Sequence, residues 1–225
     1  MITITAMKWA PPFAAGMVRD HRARWILEEV GWPYQVRLID ARDLASEDYR
    51  RRQPFGQVPY LEEDGRPALF ESGAIVIDVA TRAGRLLPTD QDSRAQVLCW
   101  VIAALNSVEP FLMNVAEVEY FMDDQGLREA RRPTVTAFAH RRLSQLEVAL
   151  GDRDWLAGDA FSIADLMMGS VLRIASRLDL LGTHPRLAAY HDRCTDRPAF
   201  RKAVSDQCET ISAHEEGDMH FGNAR

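Results

Sequence analysis

The stretch that decides the fold is residues 53–75, QPFGQVPYLEEDGRPALFESGAI. It contains two short apolar runs, residues 59–61 and 68–70, which are separated by the acidic turn residues 62–65. Two apolar runs joined by turn residues that include a glycine are typical of a β-hairpin. Ser72 follows the second run and precedes an apolar helical pattern, so we expect Ser72 to cap a new helix.

The end of this stretch predicts a binding corner for an anion. A helix N-terminus presents backbone N–H groups without intrahelical partners, and a serine there adds a hydroxyl donor.

The Val58–Pro59 bond is of the X-Pro type, in which the cis form costs only about 0.5–1 kcal/mol. A cis bond would turn the Val58 backbone outward to pair with an extended peptide, whereas a trans bond would make Pro59 the start of an ordinary edge strand. The dipeptide alone favours the trans alternative.

Two segments of this stretch resemble the glutathione-binding signature of the glutathione S-transferases: Pro54-x-Gly56-Gln57-Val58-Pro59-x-Leu61 and Phe70-Glu71-Ser72-x-Ala74-Ile75. A second motif, FSIADL at residues 161–166, is similar to the motif that caps a core helix in that family. Because the two motifs occur in this order and at this spacing, the chain resembles the family over residues 1–205. The resemblance implies a thioredoxin-like α/β N-terminal domain followed by an all-α C-terminal domain.

The hydrophobic pattern independently divides the chain. Over residues 1–84 strand and helix signals alternate, which fits a thioredoxin-like, glutathione-binding α/β domain. Turn residues mark 85–92 as a linker. Residues 93–205 have a helical pattern and predict an all-helical domain that contributes the hydrophobic substrate pocket. Residues 206–225 are predicted to form a flexible acidic tail.

Prolines and one capping box predict helix boundaries in the second half. Pro110 lies inside a long apolar pattern, residues 95–116, and is expected to kink or break that helix. Pro133 is expected in the first turn of the next helix. Ser162 and Asp165 form a capping box, which accounts for the carboxylate of Asp165 without a catalytic role.

Composition restricts partners and compartment. The 225 residues have a formal net charge of −6, with 47% hydrophobic and 27% charged residues, which predicts a soluble globular protein and argues against nucleic acid or an anionic membrane as a partner. No signal-peptide pattern begins the chain, and no run reaches about 18 apolar residues, so we expect no membrane span. Three widely spaced cysteines suit a reducing cytoplasm. We interpret the basic clusters at residues 19–22, 50–52 and 140–142 as solvated helix faces, with Arg19 as the exception.

The resemblance implies a place for each part of glutathione. The backbone of Val58, beside Pro59, would pair with the cysteinyl unit. Glu71 would meet the ammonium of the γ-glutamyl end, Ser72 its carboxylate, and Gln57 the glycyl carboxylate. Glutathione would therefore be a co-substrate. No metal is expected, because the histidines and acidic residues of the tail match no tight ligand spacing.

The loop after the first strand, residues 8–20, departs from the family. Members usually supply a Tyr or Ser hydroxyl or a Cys there, whereas this loop contains no Ser, Thr, Tyr or Cys. The usual hydroxyl position falls near Met17. The N-terminus of the first helix and the guanidinium of Arg19 are the candidates for stabilising a thiolate. The alternative for Arg19 is a surface ion pair with Asp20 or a nearby glutamate.

Two functions from different classes follow. The first is a cytoplasmic, homodimeric glutathione transferase that conjugates or reduces a small hydrophobic electrophile, as in detoxification, with Trp9, Phe13 and Met17 in the substrate pocket. The homodimer is carried over from the family. The second is a ligand-binding or protein-interaction module that keeps the fold and the glutathione corner without catalysis.

Overall fold

The computed structural model describes residues 1–219, which form two compact units. The first unit combines residues 1–85 with residues 198–219, and the second is residues 86–197. This division differs from the predicted one, in which the helical domain continued to residue 205. The last long helix belongs with the N-terminal part of the chain.

A four-stranded sheet of order β2-β1-β3-β4 organises the first unit. Its strands are β1 (Ile2–Met7), β2 (Tyr34–Ile39), β3 (Tyr60–Glu63) and β4 (Leu69–Phe70). β1 and β2 are parallel, with Ile2 opposite Tyr34, and both other pairs are antiparallel. The predicted hairpin is confirmed as β3 and β4, in which Tyr60 lies opposite Phe70.

The α-helices of the described chain are α1 (Asp20–Val30), α2 (Ala41–Ala45), α3 (Glu47–Arg52), α4 (Ser72–Ala83), α5 (Gln91–Ala103), α6 (Glu109–Tyr120), α7 (Gln125–Leu150), α8 (Ile163–Arg177), α9 (Pro185–Thr195) and α10 (Pro198–Ser212). In the first unit α1 packs against both α4 and α10, and in the second unit α8 packs against α5 and α9. A thioredoxin-like α/β domain followed by a helical domain is the architecture that the sequence predicted.

Two prolines have different outcomes. A π-helical segment, Ala104–Val108, separates α5 from α6, and Pro110 lies in the first turn of α6. Because proline lacks an N–H and its ring displaces the carbonyl four residues back, the predicted break is confirmed. Pro133 lies inside α7, so its predicted place in a first turn is wrong. The carboxylate of Asp124 accepts the N–H of Leu127 at 2.8 Å and starts the helix earlier.

The C-terminal tail is also different from its prediction. α10 continues to Ser212, so the first residues of the predicted acidic tail are helical. A 3₁₀ turn, Glu216–Met219, follows and buries Met219. Residues 220–225 lie outside the described part of the chain.

One helical run has the composition of a membrane span, which the sequence had not suggested. Gln91–Tyr120 contains a window of mean hydropathy 1.4, of which 33% is buried in the protein. Length and composition alone do not distinguish a membrane span from a core helix of a helical domain. Here α5 packs against α8, and α6 packs against α7.

Candidate functional site

The N-terminus of α4 lies where the sequence placed the anion corner. The helix begins at Ser72, and Glu71 is its N-cap, because the carbonyl of Glu71 accepts the N–H of Ile75 at 3.0 Å. The prediction that Ser72 is the cap is therefore wrong by one position. Glu71 has a left-handed backbone with φ 68° and is exposed, whereas Ser72 is buried.

A buried cation contacts this corner. The guanidinium Nη1 of Arg22, on α1, donates to Ser72 Oγ at 3.3 Å, and Arg22 is only 2% exposed. Since a guanidinium can only donate, the serine oxygen accepts, and the serine hydroxyl hydrogen is left to donate to another acceptor. The corner therefore combines a positive charge, a hydroxyl donor and a helix N-terminus, which together suit a carboxylate.

The sequence interpretation missed Arg22. It assigned the basic cluster of residues 19–22 to a solvated face, but Asp20, His21 and Arg22 are all buried. One signal in the sequence could have identified it. Arg22 lies four positions before Ile26, so the two residues share a helix face, and Ile26 is fully buried.

The segment before β3 has its own internal supports. The Val58–Pro59 bond is cis, the less favoured alternative for the dipeptide alone. Tyr49 Oη donates to the carbonyl of Gln57 at 2.7 Å and lies 3.2 Å from the hydroxyl of Thr5. Val58 is half-buried, and Gln57 is exposed. The backbone beside Val58 is thus held by a buried tyrosine that sequence reasoning did not identify.

A second support comes from Gln53, which is 2% exposed. Its side-chain oxygen accepts the N–H of Phe55 at 2.8 Å and of Gln57 at 3.3 Å. Gly56, between them, has φ 62°, a conformation that glycine adopts without strain. One buried amide therefore holds the backbone on both sides of Gly56, at Phe55 and at Gln57.

The loop before α1 is a series of turns. The N–H of Ala14 donates to the carbonyl of Pro11 at 2.7 Å, and the N–H of Met17 to that of Ala14 at 2.8 Å. The predicted pocket residues Trp9 and Phe13, like Met17, are half-buried.

Arg19 is exposed at the N-cap of α1, and its side chain makes no capping hydrogen bond. Its part in thiolate stabilisation stays a prediction, and the buried arginine found beside the corner is Arg22.

A buried polar cluster joins the start of α1 to α10. Asp20 pairs with Arg24 at 2.8 Å and accepts from Gln207 Nε2 at 2.6 Å. All three residues are at most 2% exposed. Burial raises the pKa of Asp20 above its ordinary 3.8, and the contacts with Arg24 and Gln207 oppose part of that rise.

Two cavities lie apart from this corner. One of about 590 Å³ lies in the first unit and is lined mainly by charged side chains, among them Arg51, Arg52, Glu62 and Arg66. The other, about 440 Å³, lies in the second unit between residues 86–96 and 157–162. Neither is lined by Trp9, Phe13 or Met17. Within residues 1–219 no cluster of His, Cys, Asp and Glu side chains is arranged to hold a metal ion.

Comparison with known proteins gives consistent matches. The model of the glutathione S-transferase N-terminal domain matches residues 13–78, and that of the C-terminal domain matches residues 109–198. Glutathione S-transferase GstA of Escherichia coli O157:H7 is 32% identical over 175 residues, which cover 76% of this chain and 83% of that protein. Disulfide-bond oxidoreductase YfcG of Escherichia coli K12 is 25% identical over 193 residues, covering 82% and 89%.

The solved structures share the fold. A glutathione transferase family member from Pseudomonas fluorescens, with two glutathione bound, superposes with a TM-score of 0.79 at 22% identity, covering 90% of this chain and 92% of that one. Together with the two domain matches and the relative at 32% identity, this architecture identifies the family. The chain belongs to the glutathione S-transferase family.

Proposed function

We propose that this protein is a glutathione transferase that binds glutathione at the N-terminus of α4 and stabilises its thiolate for reaction with a small hydrophobic electrophile. The observation that carries the proposal is the buried contact of 3.3 Å between Arg22 and Ser72 at that N-terminus. A buried guanidinium beside an oriented hydroxyl recognises a carboxylate, and glutathione carries a carboxylate at each end.

The corner would divide the γ-glutamyl end of glutathione by charge. Its carboxylate would accept from the first-turn N–H groups of α4 and from the Ser72 hydroxyl, with Arg22 as the nearby cation. The exposed carboxylate of Glu71 would meet the ammonium. The backbone of Val58 would pair with the cysteinyl unit, and Gln57 would reach the glycyl carboxylate.

The thiolate is proposed to be stabilised by the N-terminus of α1 instead of a hydroxyl. A helix N-terminus contributes up to about 2 kcal/mol to a nearby anion in a partly buried geometry. Since one pKa unit corresponds to about 1.4 kcal/mol, the thiol pKa would fall from about 8.5 to about 7. The exposed charge of Arg19 adds at most about 1 kcal/mol, because solvent screens it.

The setting of the reaction is part of the proposal. The free cysteines Cys99, Cys194 and Cys208 support a reducing cytoplasm, where glutathione is abundant. A homodimer is proposed from family membership. Trp9, Phe13 and Met17 are proposed to line the electrophile pocket because they lie in the loop that follows β1.

Calorimetric titration with glutathione at pH 7, in two buffers of different ionisation enthalpy, tests the proposal. A thiol pKa near 7 in the complex predicts release of about half a proton on binding. Ser72→Ala removes the hydroxyl donor to the carboxylate, and Arg22→Met removes the nearby cation and its hydrogen bond to Ser72. Each variant should therefore bind glutathione about tenfold or more weakly than the unmodified protein. Arg51→Met is the matched control, because Arg51 is exposed on α3. Absence of glutathione binding by the unmodified protein would overturn the proposal.

A second candidate is a glutathione-binding module without catalysis. The observation that favours it is the absence of any Ser, Thr, Tyr or Cys in residues 8–20. Binding without proton release, together with no turnover of an aryl halide or of a glutathione mixed disulfide, would select this candidate. The disulfide is included because one relative is named as a disulfide-bond oxidoreductase.

A further inference from the structure

The last α-helix of the described residues, α10, packs along α1, whose N-terminus is proposed to stabilise the glutathione thiolate. The rings of Trp25, on α1, and Phe200, on α10, pack edge to face with centroids 4.8 Å apart. Lys202 Nζ lies 3.4 Å from the carboxylate of Glu28. These contacts place α10 along α1 within the first unit. Deeper in the same contact lies Gln207, which is 2% exposed.

The amide of Gln207 spans the junction between the loop and α1. Its Nε2 donates to the carbonyl of Val18 at 2.8 Å and to Asp20 Oδ1 at 2.6 Å. Both partners are acceptors, so the NH₂ group must face them. The same Val18 carbonyl lies 3.1 Å from the N–H of His21 and 2.9 Å from His21 Nδ1. Since a carbonyl only accepts, that imidazole nitrogen carries its hydrogen.

We propose that Gln207 is a positioning residue for thiolate formation: its amide fixes the Val18 carbonyl and the Asp20 carboxylate, and thereby the first turn of α1 beside the sulfur of glutathione. This inference rests on the proposed function. Val18 directly follows Met17, and the family resemblance locates the usual hydroxyl position near Met17.

The physical basis is the short range of a helix terminus. The stabilisation of an anion by a helix N-terminus falls off within the first turn, so it depends on where that turn is held. A displacement of about 1 Å at a reacting group is enough to lower a rate about a hundredfold. Gln207 holds this turn from 187 residues away in sequence, through side chains that water does not reach.

The test is Gln207→Met, which keeps the length and burial of the side chain but removes both donated hydrogen bonds. Glu209→Met is the matched control, because Glu209 is exposed on the same helix. The pKa of the bound thiol is measured from the thiolate absorbance of the glutathione complex as a function of pH. The dissociation constant of S-methylglutathione, which has no ionisable thiol, measures the binding corner separately.

We expect Gln207→Met to raise the thiol pKa by half a unit or more, which is about a threefold loss of thiolate below that pKa. kcat should fall by the same factor, whereas S-methylglutathione should bind as in the unmodified protein. Glu209→Met should change none of these quantities. An unchanged thiol pKa in Gln207→Met, or weaker S-methylglutathione binding as the only effect, would overturn the inference.

A measurement on the unmodified protein covers the case in which Gln207→Met does not fold. Glutathione binding should slow amide hydrogen exchange in residues 16–20 and in residues 203–209 together, because the two segments share one hydrogen-bonded cluster. Protection of the loop without protection of α10 would contradict the inference. An unmodified protein that binds glutathione with an unshifted thiol pKa overturns the proposed catalysis itself, and this inference falls with it.

Discussion

Replacing Asp165 measures how much one buried carboxylate contributes to the stability of the second unit. Its oxygens accept the N–H of Leu156 at 2.8 Å, the N–H of Ser162 at 2.9 Å and the hydroxyl of Tyr190 at 2.9 Å. Asp165→Ala leaves these three donors buried without that partner. An unsatisfied buried donor costs about 1–3 kcal/mol, so we expect the free energy of unfolding to fall by at least about 3 kcal/mol.

The isosteric variant Asp165→Asn separates geometry from charge. The amide oxygen retains the donors of Leu156 and Tyr190, but the amide NH₂ now faces the N–H of Ser162. The same carboxylate oxygen also accepts the hydroxyl of Ser162 at 3.0 Å, so two hydrogen bonds are lost and the expected decrease in unfolding free energy is about 2 kcal/mol. Asp159→Asn, an exposed carboxylate just before the same helix, should stay within about 0.5 kcal/mol of the unmodified protein.

Urea unfolding, followed by far-ultraviolet circular dichroism, provides the free energies through the midpoint and slope of each transition. Turnover of an aryl halide with glutathione is measured on the same samples below their unfolding range. The decrease in unfolding free energy should be largest for Asp165→Ala, smaller for Asp165→Asn and smallest for the control Asp159→Asn. If Asp165→Asn kept full stability and lost kcat, the carboxylate would be catalytic and the structural interpretation of the capping box would be refuted.

Three further predictions concern other sites. Gly56→Ala should lower the unfolding free energy by about 1–2 kcal/mol in urea unfolding, since φ is 62° there and a Cβ would lie 3.1 Å from a backbone carbonyl. Tyr49→Phe should weaken glutathione binding about fivefold in calorimetry, because the carbonyl of Gln57 loses a hydrogen bond worth about 1 kcal/mol. Burial lowers the pKa of His191 from its ordinary 6.5, so below pH 6.5 the unfolded chain binds more protons than the folded protein and stability falls. The free energy of unfolding should be measured at a series of pH values. In His191→Gln it should decrease less below pH 6.5 than in the unmodified protein.

The local features of the fold could be predicted because nearby residues encode them. The C-terminus of α1 is fixed by Gly31, whose φ is 73° and whose N–H reaches the carbonyls of the last turn. The α8 capping box consists of side chains three positions apart, and it forms as predicted. Pro133 shows the limit of such signals, because a proline inside a helix looks like a proline near a helix start until the cap at Asp124 is seen.

The assignment of α10 could not come from its pattern. Its apolar residues predict a helix with one buried face, and that helix is present. The pattern does not state which neighbour covers the face. Gln207 and Phe200 meet α1 across more than 170 positions of sequence, so the helix joins the first unit and not the all-helical one. The same limit applies to the candidate site, because the carbonyl of Val18 in its loop accepts a hydrogen bond from Gln207 on α10.

Two arginines show why the sequence predicts an anion-binding corner but not the cation that contacts it. The motif Glu71–Ser72 is contiguous, so the prediction of an anion-binding corner follows from the residues themselves. Arg19 and Arg22 both stand at the start of one helix, and their charge alone suggests solvent for either. In the structure Arg19 is the exposed N-cap, whereas Arg22 is a turn further on, along the face that packs against α4. A buried guanidinium needs acceptors in place of water, and Ser72 is one of them. The packing of α1 on α4 therefore determines which arginine contacts Ser72, and that packing is a long-range property of the fold.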